Sequence, residues 1–233
     1  MENKLIFNNL DKSEYRRQEA YNYLRNNLQF SGPDLKSFLL TSCEANTGKS
    51  TVSFELARSM AEAGKRVILI DADMRKSVLI KRYEIQAGGR KPRGLTHYLT
   101  KQAALEEIVF TTNIEGMDII LSGPASPNPT ELLEGRLFDE MILKLEEEYD
   151  AVIVDTPPLG AVIDAAIMGP KCDGTILVLE SEVTSYRAAQ EVKKQMEMAG
   201  CKILGTILNK VTMDKAGYYY GYYGYYKYYG EYK

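Results

Sequence analysis

Four consecutive residues, Gly48, Lys49, Ser50 and Thr51, have the types and spacing to hold a phosphate. A glycine lets the backbone approach an anion, a lysine reaches outer phosphate oxygens, and the hydroxyl that follows suits a hard cation such as Mg2+. Carboxylates further along can share that chemistry. Asp71 and Asp73 stand two residues apart, with Arg75 two further on, and Asp155 follows a separate apolar run. Near a γ-phosphate, one carboxylate of the Asp71/Asp73 pair can orient an attacking hydroxyl while the other supports a metal. The proton balance limits the base. Tyrosine titrates near ~10 and an ordinary Asp near ~3.9, so full transfer costs about 8 kcal/mol and the base acts mainly by orienting the hydroxyl. Each feature also has an ordinary reading. A Gly-Lys-Ser triplet occurs in plain strand-to-helix turns, an Asp at a strand end often caps a helix, and Cys43 stands where the usual phosphate loop has its first glycine.

The elements around these residues argue for the chemical reading. The apolar run Phe38–Leu40 predicts a strand, Ser37–Ser42, that enters the loop. A helix over Lys49–Ala63 follows, with Val52, Leu56, Ala57 and Met60 inward and Gly64 as its stop. Arg66–Asp71 and Ala151–Val154 are continuous apolar runs, the pattern of parallel strands buried on both faces. Further strands are expected over Met117–Leu121, Gly174–Leu179 and Lys202–Leu208. Helices are expected over 11–29, Leu95–Leu99, Ala104–Phe110, Thr130–Glu148, Ile163–Met168 and Tyr186–Ala199. Arg75–Arg93 is basic, with Gly88-Gly89 in its middle, and reads as a mobile surface segment that could hold an anion. Strands alternating with helices predict an α/β fold, a mostly parallel sheet with helices on both faces. Such sheets bind ligands at the carboxyl ends of their strands. Lys49, Ser50, Asp71, Asp73 and Asp155 would therefore converge there, as a Mg2+-nucleotide site.

Composition narrows the function. The chain has 233 residues and a formal charge of −3, which gives no support for nucleic-acid binding. Three separated cysteines and one histidine argue against a disulfide framework or a zinc site. No apolar run approaches the ~18 residues of a membrane span, and no signal-peptide core is present, so membrane association would come through a partner. The expected organisation is a domain over 1–212 and a disordered low-complexity tail over 213–233. Ten of the seventeen tyrosines lie in the last sixteen residues: Tyr218, Tyr219, Tyr220, Tyr222, Tyr223, Tyr225, Tyr226, Tyr228, Tyr229 and Tyr232.

The phosphate loop, the Asp71-x-Asp73-x-Arg75 motif, Asp155-Thr156-Pro157, the stretch Gly123–Leu133 and the tyrosine cluster together resemble the bacterial tyrosine kinases, P-loop NTPases. The resemblance is to the separate kinase subunit of Gram-positive capsule and exopolysaccharide systems, and covers nearly the whole chain. It implies ATP held by Thr47, Gly48, Lys49, Ser50 and Thr51, with Asn209 at the adenine. It implies Mg2+ held by Ser50, Asp73 and Asp155, and Asp71 at the acceptor tyrosine, with Lys49, Asp73 and Arg75 completing the catalytic set. It further implies tail autophosphorylation, a cognate tyrosine phosphatase, and a membrane-spanning activator that recruits a cytoplasmic kinase to the inner face of the membrane. Ring-like self-association would use Glu19, Asn22 and Arg25. The chain departs from the family pattern at Ala45-Asn46, where relatives carry Pro-Gly, and at Asn22, where they carry an arginine.

Two other readings stand beside this one. A nucleotide-switched positioning ATPase of the same superfamily would carry a lysine where Glu44 stands, and would lack the tyrosine tail. A catalytically weak scaffold would use the tail as an adhesive segment. Cys43 is a candidate redox brake on the loop or a plain small residue.

Overall fold

The structure, a computed structural model, describes residues 4–10, 15–88 and 91–212. The tail tyrosines, the proposed boundary at 213 and the first residues of the expected helix over 11–29 lie outside the described residues. The strands are β1 (Lys4–Ile6), β2 (Ser37–Ser42), β3 (Val67–Asp71), β4 (Gln86–Ala87) and β5 (Val109–Thr112). They continue with β6 (Met117–Ile120), β7 (Ala151–Asp155), β8 (Gly174–Glu180) and β9 (Ile203–Asn209). The helices are α1 (Tyr15–Ser31), α2 (Lys49–Glu62), α3 (Leu79–Arg82) and α4 (Leu95–Leu99). After them come α5 (Pro129–Glu134), α6 (Arg136–Glu148), α7 (Asp164–Met168) and α8 (Tyr186–Met198).

One nine-stranded sheet runs β4-β1-β5-β6-β3-β7-β2-β8-β9. Its centre, from β6 to β9, is parallel, and antiparallel pairs occur only at β5–β6 and β1–β4. The central strands alternate faces as the two-residue strand period requires. Leu39, Ile68, Ile70, Val152 and Val154 pack with α4 to α8 on one side. Phe38, Leu40, Val67, Leu69 and Ile153 pack with α1 and α2 on the other. Burial of both faces explains why these strands read as unbroken apolar runs. Tyr21, Leu24 and Leu28 share the α1 face that meets α2.

Several expected elements differ. The segment Ala104–Phe110 is a short 3-10 turn, Leu105–Glu107, followed by β5, because Val109 and Phe110 pair with Ile120 and Ile119. The helix expected over Thr130–Glu148 is broken at Gly135, whose extended backbone (φ −65°, ψ 157°) separates α5 from α6. The basic segment is partly built into the fold. Tyr83 is 5% exposed, its ring stacked on Phe54 at 3.8 Å and edge-on to Phe7 at 6.0 Å.

The Tyr83 hydroxyl is buried and has no hydrogen-bond partner among the described residues. An unpartnered buried hydroxyl costs about 1–3 kcal/mol. Tyr83→Phe should therefore raise stability by about 1 kcal/mol in a urea melt. A destabilised Tyr83→Phe would show that the hydroxyl has an acceptor.

Candidate active site

The carboxyl ends of β2, β3 and β7 meet at one place because the three strands are neighbours. Asp71 pairs in register with Asp155, and Asp155 with Leu40 just before the loop. Backbone bonds lock the ends together: Ala72 N–H donates to the Asp155 carbonyl at 2.8 Å and Thr156 N–H to the Leu40 carbonyl at 3.2 Å. Leu159 N–H donates to the Ser42 carbonyl at 2.9 Å, which brings Gly160 against the loop. A Cβ at Gly160 would lie 2.2 Å from the Cys43 carbonyl oxygen, so only glycine fits there.

Helix α2 starts at Lys49 from Gly48, which is left-handed at φ +86°, and no side chain caps its first turn. An uncapped helix N-terminus favours an anion. The Thr47 hydroxyl beside it is buried without a partner among the described residues. The Lys49 ammonium is 2.6 Å from Asp155 Oδ1 in a buried pair, and 3.3 Å from the Ser50 hydroxyl. Ser53, one helical turn after Lys49, donates to the same Asp155 oxygen at 2.9 Å. Lys49 and Asp155 neutralise each other in this pair. Arg82 of the basic segment donates to the Thr51 hydroxyl, which fixes that segment against the first turn of α2.

Asp71 is 1% exposed and receives a hydrogen bond from Ser77. Burial pushes its carboxyl up to about 7, Asp155 and Asp73 push the same way, and Ser77 and Lys49 pull against them. Asp73 does not continue the strand. Strand β3 ends at Asp71, and Asp73 Oδ1 accepts from the backbone N–H groups of Arg75 at 3.1 Å and Lys76 at 2.8 Å. The two carboxylates thus have different surroundings rather than one shared direction. Arg75 makes a two-point pair with Asp164 of α7, Nε to Oδ2 at 2.8 Å and an Nη to Oδ1 at 3.0 Å. That pair ties the Asp73 turn to α7, and the Arg75 guanidinium is engaged there.

The resemblance implies Asn209 at the adenine; in the structure its side chain donates to the Thr47 carbonyl at 2.8 Å, against the phosphate loop. Asn22 and Arg25 of α1 are engaged within the chain: Arg25 donates to the Ser59 carbonyl at 2.8 Å and to Asn22 at 3.2 Å. Cys43 is buried, and burial together with Glu44 pushes its thiol up to about 11. It therefore stays protonated near neutral pH and is not a reactive thiolate. Sequence reasoning missed Ser53, Ser77, Asp164 and Lys210. The four-residue spacing from Lys49 was the one signal that pointed to Ser53.

The residues present fit a nucleotide with Mg2+. Among the described residues no three His, Cys, Asp or Glu side chains form a closed metal cage. Magnesium in phosphate sites takes one or two carboxylates, a hydroxyl, waters and the phosphates themselves, which is the donor set here.

Residues 44–202 match the family described as AAA domain. The chain is 42% identical to the tyrosine-protein kinase CpsD of Streptococcus agalactiae serotype Ia over 201 residues, 86% of this chain and 85% of that one. The chain belongs to the bacterial tyrosine kinase family. The tyrosine-protein kinase YwqD of Bacillus subtilis is 38% identical over 206 residues, 86% of this chain and 85% of that one. The crystal structure of the chimerical protein CapA2B2 superposes with a TM-score of 0.77 at 32% identity, covering 86% of each chain. The fold is therefore that of the P-loop NTPases, as the sequence predicts. Among the described residues no helix is long and apolar enough to cross a membrane.

Proposed function

We propose that the chain is an ATP- and Mg2+-dependent protein-tyrosine kinase that phosphorylates its own C-terminal tyrosines. The observation that carries this reading is the buried cluster of Lys49, Asp155 and Asp71 beside an uncapped helix N-terminus, with Asp71 raised to about 7. Burial lifts the Asp71 carboxyl above an ordinary Asp, which makes it a better match to a tyrosine hydroxyl as proton acceptor. Asp71 is thus the group that orients the acceptor hydroxyl and takes its proton late. Lys49 and the backbone of Thr47 to Thr51 hold the phosphates, and Ser50, Asp73 and Asp155 are the metal donors. Asp73 and Arg75 keep the turn after β3 in place. Bound ATP supplies the γ-phosphoryl group, and Mg2+ shields its charge. The relatives CpsD and YwqD are tyrosine-protein kinases by name, which supports the same reaction class.

The tail over 213–233 is the proposed acceptor. Each phosphotyrosine adds about −1.5 to −2 charge, so ten would add roughly −15 to −20. Tails gathered in a ring-like oligomer would repel, and phosphorylation would disassemble it and release a membrane-spanning activator. Control of capsular or exopolysaccharide export, action at the inner face of the membrane and reversal by a tyrosine phosphatase follow from the resemblance. Nucleic acid is not a partner in this account.

Mass-spectrometric mapping after incubation with Mg-ATP and an activator's cytoplasmic peptide should place phosphotyrosine between Tyr218 and Tyr232, with oligomer mass falling as it accumulates. Phosphate confined to the domain would remove the tail from the account. A phosphorylated form that stays assembled would remove the release step.

A further inference from the structure

The phosphate loop is strapped on its outer side by two consecutive side chains from the end of β9. Asn209 donates to the Thr47 carbonyl at 2.8 Å, and Lys210 Nζ to the Asn46 carbonyl at 2.7 Å. Lys210 is anchored in turn by Glu180 of β8, at 2.9 Å. The arrangement holds unfavourable backbone. Of the five non-glycine residues with positive φ among the described residues, Asn46 (+65°), Glu182 (+64°) and Lys210 (+58°) all lie at this wall.

A trans peptide sets its carbonyl and N–H on opposite sides of the chain. The Asn46 carbonyl shares a peptide with the Thr47 N–H, and the Thr47 carbonyl shares one with the Gly48 N–H. Holding both carbonyls outward, towards Lys210 and Asn209, therefore aims both N–H groups inward, towards the uncapped start of α2. Neither N–H has a protein acceptor among the described residues.

We propose that Lys210, anchored by Glu180, is a positioning residue for the phosphate cradle. It keeps Asn46 left-handed so that the Thr47 and Gly48 N–H groups face the phosphates. This deepens the proposed nucleotide site and rests on it. The strap compensates for a residue with a side chain at a position that favours glycine. It acts on the loop, not on the base, so its loss weakens any phosphate ligand.

Calorimetry with Mg-ADP and with Mg-pyrophosphate tests this on the full chain. Lys210→Met should weaken both ligands about tenfold, equivalent to about 1.4 kcal/mol. Glu180→Gln should weaken both by a smaller factor, and thermal melts of the two variants beside wild type separate a loss of the strap from a loss of the fold, the Lys210 side chain being 46% and that of Glu180 18% exposed. Adding Asn46→Gly to Lys210→Met should restore most of the affinity, because the left-handed turn then needs no strap. Unchanged affinity in Lys210→Met, loss for ADP alone, or loss that Asn46→Gly leaves uncorrected would overturn the proposal. So would a wild-type chain that holds Mg-ADP but not pyrophosphate. A wild-type chain that binds neither ligand would remove the nucleotide site itself, and the strap with it.

Discussion

Lys49→Met is expected to reduce phosphotransfer by at least ~10²–10³-fold, the usual loss when a positioned cation is taken from developing charge in a water-poor site. The same change has a second consequence. Lys49 is the partner of buried Asp155, so its removal leaves a buried carboxylate with Ser53 as its one remaining side-chain partner among the described residues. Breaking a buried pair from one side costs about 3–5 kcal/mol, which for a chain of this length is a drop of roughly 10 °C in melting temperature. The two effects separate in a double variant. Lys49→Met with Asp155→Asn should recover most of the lost stability, since the unpaired Asp155 carboxylate is gone, yet stay inactive. Thermal melts beside phosphotransfer assays check both. A Lys49→Met chain that melts like wild type would mean the pair is not buried in solution. An active one would mean Lys49 does not serve the phosphates.

Asp71→Asn is the second large effect, and its sign depends on pH. The folded Asp71 titrates near 7, against 3.8 for the ordinary group. Between those values the folded chain binds more protons than the unfolded one, so stability falls as pH rises through that window. Above about 7 the charged, buried carboxylate costs the apo-protein about 4 kcal/mol, from roughly 3 units at 1.36 kcal/mol each. Asparagine has no such charge. In chelator at pH 8, Asp71→Asn should therefore melt several degrees above wild type, and the gap should narrow steadily as pH is lowered towards 5. Kinase activity should fall about 10²–10⁴-fold, the usual contribution of a general base. A variant less stable than wild type at pH 8 would show that Asp71 is ionised at no cost in the apo-protein.

What the sequence revealed follows from which forces are local. The strand Ser37–Ser42 and the helix start at Lys49 have the bounds expected, because an apolar run, a turn and an amphipathic repeat are written in adjacent residues. The short strands β1, β4 and β5 were invisible, or hidden in a helix-forming stretch, since their pairing partners lie far away in the chain. Gly135 carried its signal openly and was passed over, because the residues on either side favour a helix. The convergence of Lys49, Asp71 and Asp155 followed from topology alone. The finer arrangement did not. That β3 stops at Asp71, that Ser77 closes onto it, and that Arg75 turns to Asp164 all depend on packing between α7 and the strand ends. Lys210 was unreadable for the same reason: its meaning lies in a carbonyl 164 residues earlier.

The most direct test of the central claim is phosphoamino-acid analysis after incubation of the full chain with γ-labelled Mg-ATP and the activator peptide. The account predicts label on tyrosine in the wild type, and none above background in Lys49→Met or Asp71→Asn. Release of labelled inorganic phosphate with no phosphotyrosine would contradict it, and would make the chain a nucleotide-switched ATPase on the same fold.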